Sequence, residues 1–158
     1  MALISNDEVK NELIDNIVNM FSFLYSYNFS TPAVNESDSM TSIDWFMGSD
    51  SIAIEIEIDW RDFDIFVLLV RLQDKNLPNG YYVSDGVPCR YHLQQVITDR
   101  GWNIDPVILA KIVPGKNGRR PKVKHGKDEL LKIAFEYKVV VESCISRIVE
   151  DRNIIFKN

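Results

Sequence analysis

One stretch of ten residues, Ser51 to Trp60, constrains the fold of this chain more than any other. It reads SIAIEIEIDW, in which isoleucine or tryptophan alternates with small or acidic residues. Strict period-two alternation of β-branched residues is typical of a β-strand with one face in the core and the other in water. The pattern therefore predicts a strand whose water-facing side carries Glu55, Glu57 and Asp59.

The next apolar run, residues 63–72, predicts the hairpin partner of that strand. Nearly every position in it is hydrophobic, which is typical of a central strand covered on both faces. Only Arg61 and Asp62 are left as a short connection between the two runs. We therefore expect an antiparallel hairpin in which Asp59 lies across from Asp64.

The rest of the chain predicts helices on both sides of a few more strands. Further strands are expected at the short apolar runs 41–47, 81–84 and 87–90, the last two joined by the turn pair Asp85-Gly86. Helices are expected where apolar residues recur every three or four positions, at 5–28, 91–100, 106–112 and from 127 onward. Ser5 and Glu8 have the spacing of a capping box for the first of these helices, Gly101 should end the second, and Asp105 before Pro106 should begin the third. A turn is expected at Gly48-Ser49-Asp50. Residues 29–40 have no period and predict a loop. Strands followed by helices indicate an α+β fold, an antiparallel meander of four to five strands with N- and C-terminal helices packed on one face.

Length and composition predict one globular domain, residues 1–158, in the cytoplasm. The 158 residues are 46% hydrophobic and 26% charged, as in ordinary globular proteins. The two cysteines, Cys89 and Cys144, are too few for a secreted disulfide framework and are expected to be free and partly buried. The N-terminus shows no signal-peptide pattern. The longest apolar run, residues 65–70, is far shorter than the roughly 18 residues of a membrane span, so no membrane contact is expected.

Charge is strongly segregated along the chain, although the net charge is only −5. Residues 36–64 contain nine acids and a single arginine, whereas residues 111–127 contain five lysines, two arginines and no acid. Segregated charge gives a protein a direction for steering a charged partner.

The acidic hairpin is the main candidate site, and it is predicted to be a surface that binds a protein. The predicted partner-binding residues are Asp44, Glu55, Glu57, Asp59, Trp60, Asp62 and Asp64. Five aromatic residues lie at predicted strand ends and turns, namely Trp45, Trp60, Tyr81, Tyr82 and Trp102. Most of them should lie in the core, and one or two exposed beside the acids would anchor a partner. No catalytic residue, metal or other cofactor is expected.

Three other interpretations stay open at this stage. The acids can be an ordinary solvated sheet face, or they can bind Mg²⁺ or Ca²⁺ in a small metal-dependent hydrolase, although no D-x-D-x-D-G spacing is present. The basic loop 111–127 can make the chain a nucleic-acid-binding module, although it lacks aromatic residues for base stacking.

The chain resembles, in type, the small bacterial immunity proteins of polymorphic and contact-dependent growth inhibition toxin systems. The resemblance rests on a small acidic domain without a catalytic motif and on clustered carboxylates such as those of IEIEIDWRDFD. It implies a protein that is not an enzyme and that binds and blocks a cognate toxin domain, such as a nuclease with a basic cleft. Nucleic acid is then not the expected partner, and the oligomeric state is left open. The basic loop 111–127 departs from this pattern.

Overall fold

A five-stranded antiparallel sheet forms the centre of the computed structural model, which describes residues 7–37, 39–47, 52–112 and 126–156. The strands are, in chain order, β1 (Ala33–Glu36), β2 (Met40–Phe46), β3 (Ile52–Asp59), β4 (Asp64–Arg71), β5 (Val83–Ser84), β6 (Val87–Pro88) and β7 (Arg90–His92). The large sheet has the order β1-β2-β3-β4-β7, and β5 and β6 form a separate small hairpin. The predicted α+β fold is confirmed.

The helices bury their apolar stripes against one face of the sheet. They are α1 (Asp7–Met20), a 3-10 helix (Ser22–Tyr27), α2 (Leu93–Arg100), α3 (Pro106–Ala110) and α4 (Gly126–Glu150). The isoleucines of β3 at positions 52, 54, 56 and 58 lie in this core, at most 1% exposed, as the alternation predicted. No described helix is both long and apolar enough to cross a membrane.

The hairpin of β3 and β4 has the predicted register, with Asp59 directly across from Asp64. One carboxylate oxygen of Asp59 accepts hydrogen bonds from the backbone N–H groups of Arg61 and Asp62, both at 3.0 Å. Asp59 therefore organises the tight connection that the sequence placed between the two strands.

The predicted loop at residues 29–40 is wrong in one part, because it contains strand β1. Ala33 pairs with Asp44 and Glu36 with Thr41 of β2. All four residues of β1 are exposed, so no alternation of burial exists for a sequence pattern to record. Its pairing with β2 comes from the tertiary structure.

The ends of the helices follow the predicted local chemistry where the structure describes them. Asp105 caps α3 by accepting a hydrogen bond from the N–H of Val107 at 2.9 Å. Gly101 ends α2 in the left-handed conformation, with φ of 63°. The helix predicted for 5–28 is divided at Phe21, where α1 gives way to the 3-10 helix. The capping residue Ser5 and the turn at 48–50 lie outside the described residues.

Candidate functional site

The acidic face of β3 is buried, and the expectation that it lies in water is wrong. Glu55 is 1% exposed, Glu57 is 7% exposed, and Asp44 on the neighbouring strand β2 is 0% exposed. The cause is the chain after β4, which crosses this face of the sheet. Leu77 of that segment packs on a second small core made of Phe46, Ala53, Val70 and Leu72.

Arg90 of β7 compensates the charge of Glu55 in this buried setting. Its Nε lies 2.8 Å from Oε1 of Glu55 and its Nη2 lies 3.3 Å from Oε2, so the ion pair is bidentate. Burial raises the pKa of Glu55, but the interaction with Asp44 and the hydrogen bonds and positive charge of Arg90 together outweigh it, so the pKa is lowered. Such a pair is costly to break, since the remaining charge would be buried alone.

Arg90 also fixes the segment that covers the acids. Its Nη1 donates to the carbonyl oxygens of Gly80 and Tyr81 at 3.1 and 3.0 Å, and its guanidinium lies 4.9 Å from the centre of the Tyr81 ring. Gly80 must be glycine for this path, because an added Cβ would lie 1.8 Å from the carbonyl oxygen of Val83. The thiol of Cys89 donates to the carbonyl of Tyr81 at 2.9 Å.

Glu57 has a hydroxyl as its partner instead of a cation. The hydroxyl of Tyr81 donates to Oε1 of Glu57 at 2.5 Å. Burial raises the pKa of Glu57 to about 7, even though the Tyr81 hydrogen bond acts in the opposite direction. The pKa of Tyr81 is raised by its burial and by the neighbouring carboxylate. Glu57 therefore changes charge near neutral pH.

Asp44 is the most deeply buried member of the cluster. It lies directly across from Glu55 in the register of β2 and β3, and neither of its oxygens meets a donor among the described residues. Burial, followed by the hydrogen bond with Glu55, raises the pKa of Asp44 to about 9. Because its pKa lies above 7, Asp44 carries a proton at neutral pH beside the ionised Glu55.

A cleft of about 360 Å³ opens beside this cluster, between the sheet and the covering segment. Its walls come from β1, β2, β3, β7 and the segment after β4, and its lining includes Asn35, Glu36, Ser42, Glu55, Glu57, Leu77, Tyr81 and Arg90. We call this the acidic cleft. Inside it lie the carboxylates of Glu55 and Glu57 and the guanidinium of Arg90, which is bound to Glu55. Glu36 pairs with Thr41, which pairs with Ile58, so its side chain leaves from the opposite face of the sheet and Glu36 borders the cleft only along the edge strand. The interior of the cleft therefore has an excess of negative charge when Glu57 is ionised.

Exposed apolar and aromatic side chains lie next to the acidic cleft, on and around the β5–β6 hairpin. Tyr82 is 50% and Val83 54% exposed, and Val87 is also exposed. The ring of Tyr82 meets Tyr81 edge-on at 4.5 Å, and its hydroxyl lies 2.9 Å from Nε2 of His92. Tyrosines in such positions are typical anchors of protein interfaces. Trp45, Trp60 and Trp102 are buried, in line with the expectation that most of the aromatic candidates lie in the core.

The structure separates the seven predicted partner-binding residues into three groups. Glu55 and Glu57 line the acidic cleft. Asp59, Asp62 and Asp64 lie at the end of the β3–β4 hairpin, with Asp62 exposed and the other two half-buried.

Asp44 and Trp60 offer almost no surface, which corrects their prediction as parts of an exposed face. Trp60 is 5% exposed. Its indole N–H donates to the hydroxyl of Thr41 at 2.8 Å, and Nζ of Lys10 lies 5.1 Å from its ring centre. Trp60 is therefore a core residue at the edge of the helical layer.

Two residues that define the site were missed by the sequence reasoning. Arg90 lies 35 positions from Glu55, and no spacing rule connects a strand residue with a partner two strands away. Glu36 was assigned to a loop. The alternation of acids in β3 was the one local pattern in the sequence that pointed to the site. It indicated which face of the sheet carries the acids, but it did not indicate that another segment covers that face.

The structure bears differently on the metal-site alternative and on the nucleic-acid-binding alternative. Among the described residues, no group of three or more His, Cys, Asp or Glu side chains is arranged to hold a metal ion. Of the basic loop at 111–127, residues 113–125 lie outside the described residues. Its last residue, Lys127, forms an ion pair with Glu12 of α1. Both cysteines are free and buried, as predicted.

No family model, curated protein or solved structure matches the chain.

Proposed function

We propose that this chain is a toxin-neutralising immunity protein, which binds a cognate bacterial toxin domain through the acidic cleft and the aromatic surface beside it. One observation carries the proposal. The cleft contains more carboxylates than cations, and it opens next to exposed Tyr82 and Val83. An acidic recess beside aromatic anchors suits a basic protein surface that presents a lysine or arginine.

The carboxylates and the aromatic surface have different roles in this proposed binding. The carboxylates Glu36 and Glu57 attract and orient a basic partner, because complementary charge raises the rate of encounter and selects the partner. The tyrosines and valines near the cleft supply apolar area, which contributes most of the affinity in a typical interface. A toxin with a basic substrate cleft, such as a nuclease, fits this arrangement.

The metal-dependent hydrolase is less well supported by the same geometry. Both oxygens of Glu55 already accept hydrogen bonds from Arg90, and a guanidinium beside a carboxylate repels a divalent cation. Glu57 is engaged by Tyr81.

The proposal is tested by screening the products of the genes adjacent to this one for a toxin domain. That domain is expressed in a heterologous bacterium with and without this chain, and its affinity for the purified chain is measured by calorimetry. We expect the chain to restore growth and to form a one-to-one complex. Toxicity that persists beside a well-expressed chain, together with no measurable complex, would refute the proposal.

A matched pair of charge reversals tests the position of the binding surface. Glu36→Lys changes an exposed residue of the acidic cleft, and Glu150→Lys makes the same charge change on an exposed residue at the end of α4, among the helices on the other side of the sheet. We expect Glu36→Lys to slow association by about tenfold or more at low salt, and Glu150→Lys to change it little. Equal effects of the two reversals would place the binding surface elsewhere.

A further inference from the structure

Strand β1 presents an exposed edge next to the acidic cleft. It is the first strand of the sheet, and within the described residues only β2 pairs with it. Ala33, Val34, Asn35 and Glu36 are all exposed. An exposed strand edge offers backbone N–H and C=O groups that can pair with another chain.

The register shows which backbone groups point outward. The N–H of Ser37 donates to the carbonyl of Met40 at 2.8 Å, and residue pairs in an antiparallel ladder alternate between bonded and non-bonded. Asn35 and Ala33 therefore bond to β2, like Ser37. Val34 and Glu36 lie between them and direct their N–H and C=O groups away from β2, toward the open edge.

We propose that the partner adds a strand to the outer edge of β1, pairing with the backbone of Val34 and Glu36 and placing a basic side chain beside the carboxylate of Glu36. The inference rests on the proposed function, and it names the way in which the partner binds. Strand addition combines backbone hydrogen bonds for affinity with alternate side chains for specificity.

Charge indicates what the added strand contains. Asn35 and Glu36 belong both to the edge and to the wall of the acidic cleft, so a strand with lysine or arginine is attracted to this edge. A second copy of the chain would bring its own Glu36 and its own acidic cleft to the same place, and the like charges would repel. We therefore commit to a basic segment of the partner as the occupant.

The edge and the deep part of the cleft are separate contacts. Neighbouring strands lie about 4.8 Å apart, so an added strand lies roughly 14 Å from β3, beyond β1 and β2. A side chain of the added strand reaches Glu36, whereas Glu57 is left to another part of the partner. The edge can therefore be tested without altering the carboxylates of β3.

Proline at position 34 tests the backbone pairing. Val34→Pro removes one outward N–H, and an edge strand tolerates proline where the N–H faces away from its neighbour. Val34→Ala shortens the side chain and keeps the N–H, so it is the matched control. The probe is the toxin domain found by that screen of adjacent genes. We expect Val34→Pro to weaken binding by at least about tenfold and Val34→Ala by less than about threefold.

The outcomes separate this inference from the proposed function. If the wild-type chain binds and Val34→Pro binds equally well, strand addition is wrong while the neutralising function stands. If both variants lose binding equally, the contact is with the side chain, which also overturns strand addition. If the wild-type chain does not bind at all, the proposed function itself has failed. A wild-type dimer that Val34→Pro converts to a monomer would make a second copy the occupant, contrary to the proposal.

Hydrogen exchange gives a readout that needs no variant, in case Val34→Pro disturbs the fold. The outward amides of Val34 and Glu36 should exchange quickly in the free chain and become protected in the complex. Unchanged exchange at both amides in a saturated complex would also overturn the inference.

Discussion

The guanidinium of Arg90 reaches across strand β4 and holds both carboxylate oxygens of Glu55, at 2.8 and 3.3 Å. The two residues belong to β7 and β3, which are not neighbours in the sheet. Arg90 also binds the carbonyls of Gly80 and Tyr81. One side chain thus joins the sheet, the buried acid and the segment that covers it.

Replacing Arg90 by methionine should destabilise the protein strongly. Arg90→Met leaves Glu55 charged, buried and without its cation, and such a change typically costs about 3–5 kcal/mol. Chemical denaturation followed by tryptophan fluorescence measures the loss in the free energy of unfolding.

The double variant Arg90→Met with Glu55→Gln separates the ion pair from the loss of packing. Removing the charge of Glu55 should recover about half or more of the lost stability, because a neutral amide is cheaper to bury than an unpaired carboxylate. If the double variant is as unstable as Arg90→Met alone, the buried charge is not the cause.

Gly80→Ala should displace the covering segment. The new Cβ would lie 1.8 Å from the backbone oxygen of Val83, so the chain must move and the carbonyls that bind Arg90 move with it. We expect a loss of about 2 kcal/mol or more in the free energy of unfolding, with faster hydrogen exchange at residues 80–84.

Gly86→Ala is the matched control for Gly80→Ala. Gly86 has φ of 77°, and an added Cβ meets nothing within 4 Å. Its cost is confined to backbone strain of about 1 kcal/mol. An equal effect of the two substitutions would show that close packing at Gly80 is unimportant.

Asp44→Asn should stabilise the protein at and above neutral pH. The pKa of Asp44 is raised from 3.8 to about 9 on folding, mainly by burial, so the folded chain takes up a proton that the unfolded chain releases. The free energy of unfolding therefore falls as pH rises from about 4 to about 9. Glu57, raised from 4.5 to about 7, contributes a fall of the same sign between those values.

The contribution of Glu55 to stability depends on pH in the opposite direction. Its pKa is lowered on folding, so its contribution is present above 4.5 and is lost as the pH falls below that value. The wild-type chain should therefore lose stability between pH 5 and pH 9, and Asp44→Asn should flatten this slope. At pH 8 the variant should be more stable by at least about 1 kcal/mol. Parallel stability curves for the two proteins would contradict the assignment of the proton to Asp44.

Tyr81→Phe should raise the pKa of Glu57 above about 7. The Tyr81 hydroxyl donates to the ionised form of Glu57 and holds its pKa below the value that burial alone would give. Carboxyl-carbon NMR of the Glu57 side chain measures the shift. The loss of one hydrogen bond should cost about 1 kcal/mol in the free energy of unfolding.

Tyr82→Phe is the control for that titration, because the Tyr82 hydroxyl meets His92 instead of Glu57. The pKa of Glu57 should stay where it is in this variant. A similar shift in both variants would mean that the effect comes from general loosening of the β5–β6 region.

Local sequence determined the parts of this fold that depend on neighbours along the chain. The alternation of isoleucine in 52–58 identified β3, and the short connection at residues 60–63 set the pairing of Asp59 with Asp64. Capping by Asp105 and termination at Gly101 are likewise local, because the groups that bond lie within a few residues of each other.

Only the tertiary structure decided that the carboxylates of β3 at Glu55 and Glu57 are buried. Period-two alternation indicates that the two faces of a strand differ in polarity, and acids on one face usually indicate that this face is exposed to water. Here residues 72–90 return over that face, and Arg90, Tyr81 and a proton on Asp44 make the burial of three acids tolerable. Arg90 lies 35 positions from Glu55 and Tyr81 lies 24 positions from Glu57, and no periodicity connects residues so far apart. The sequence thus determined which side chains share a face, and the long-range chain path determined that the face became a cleft.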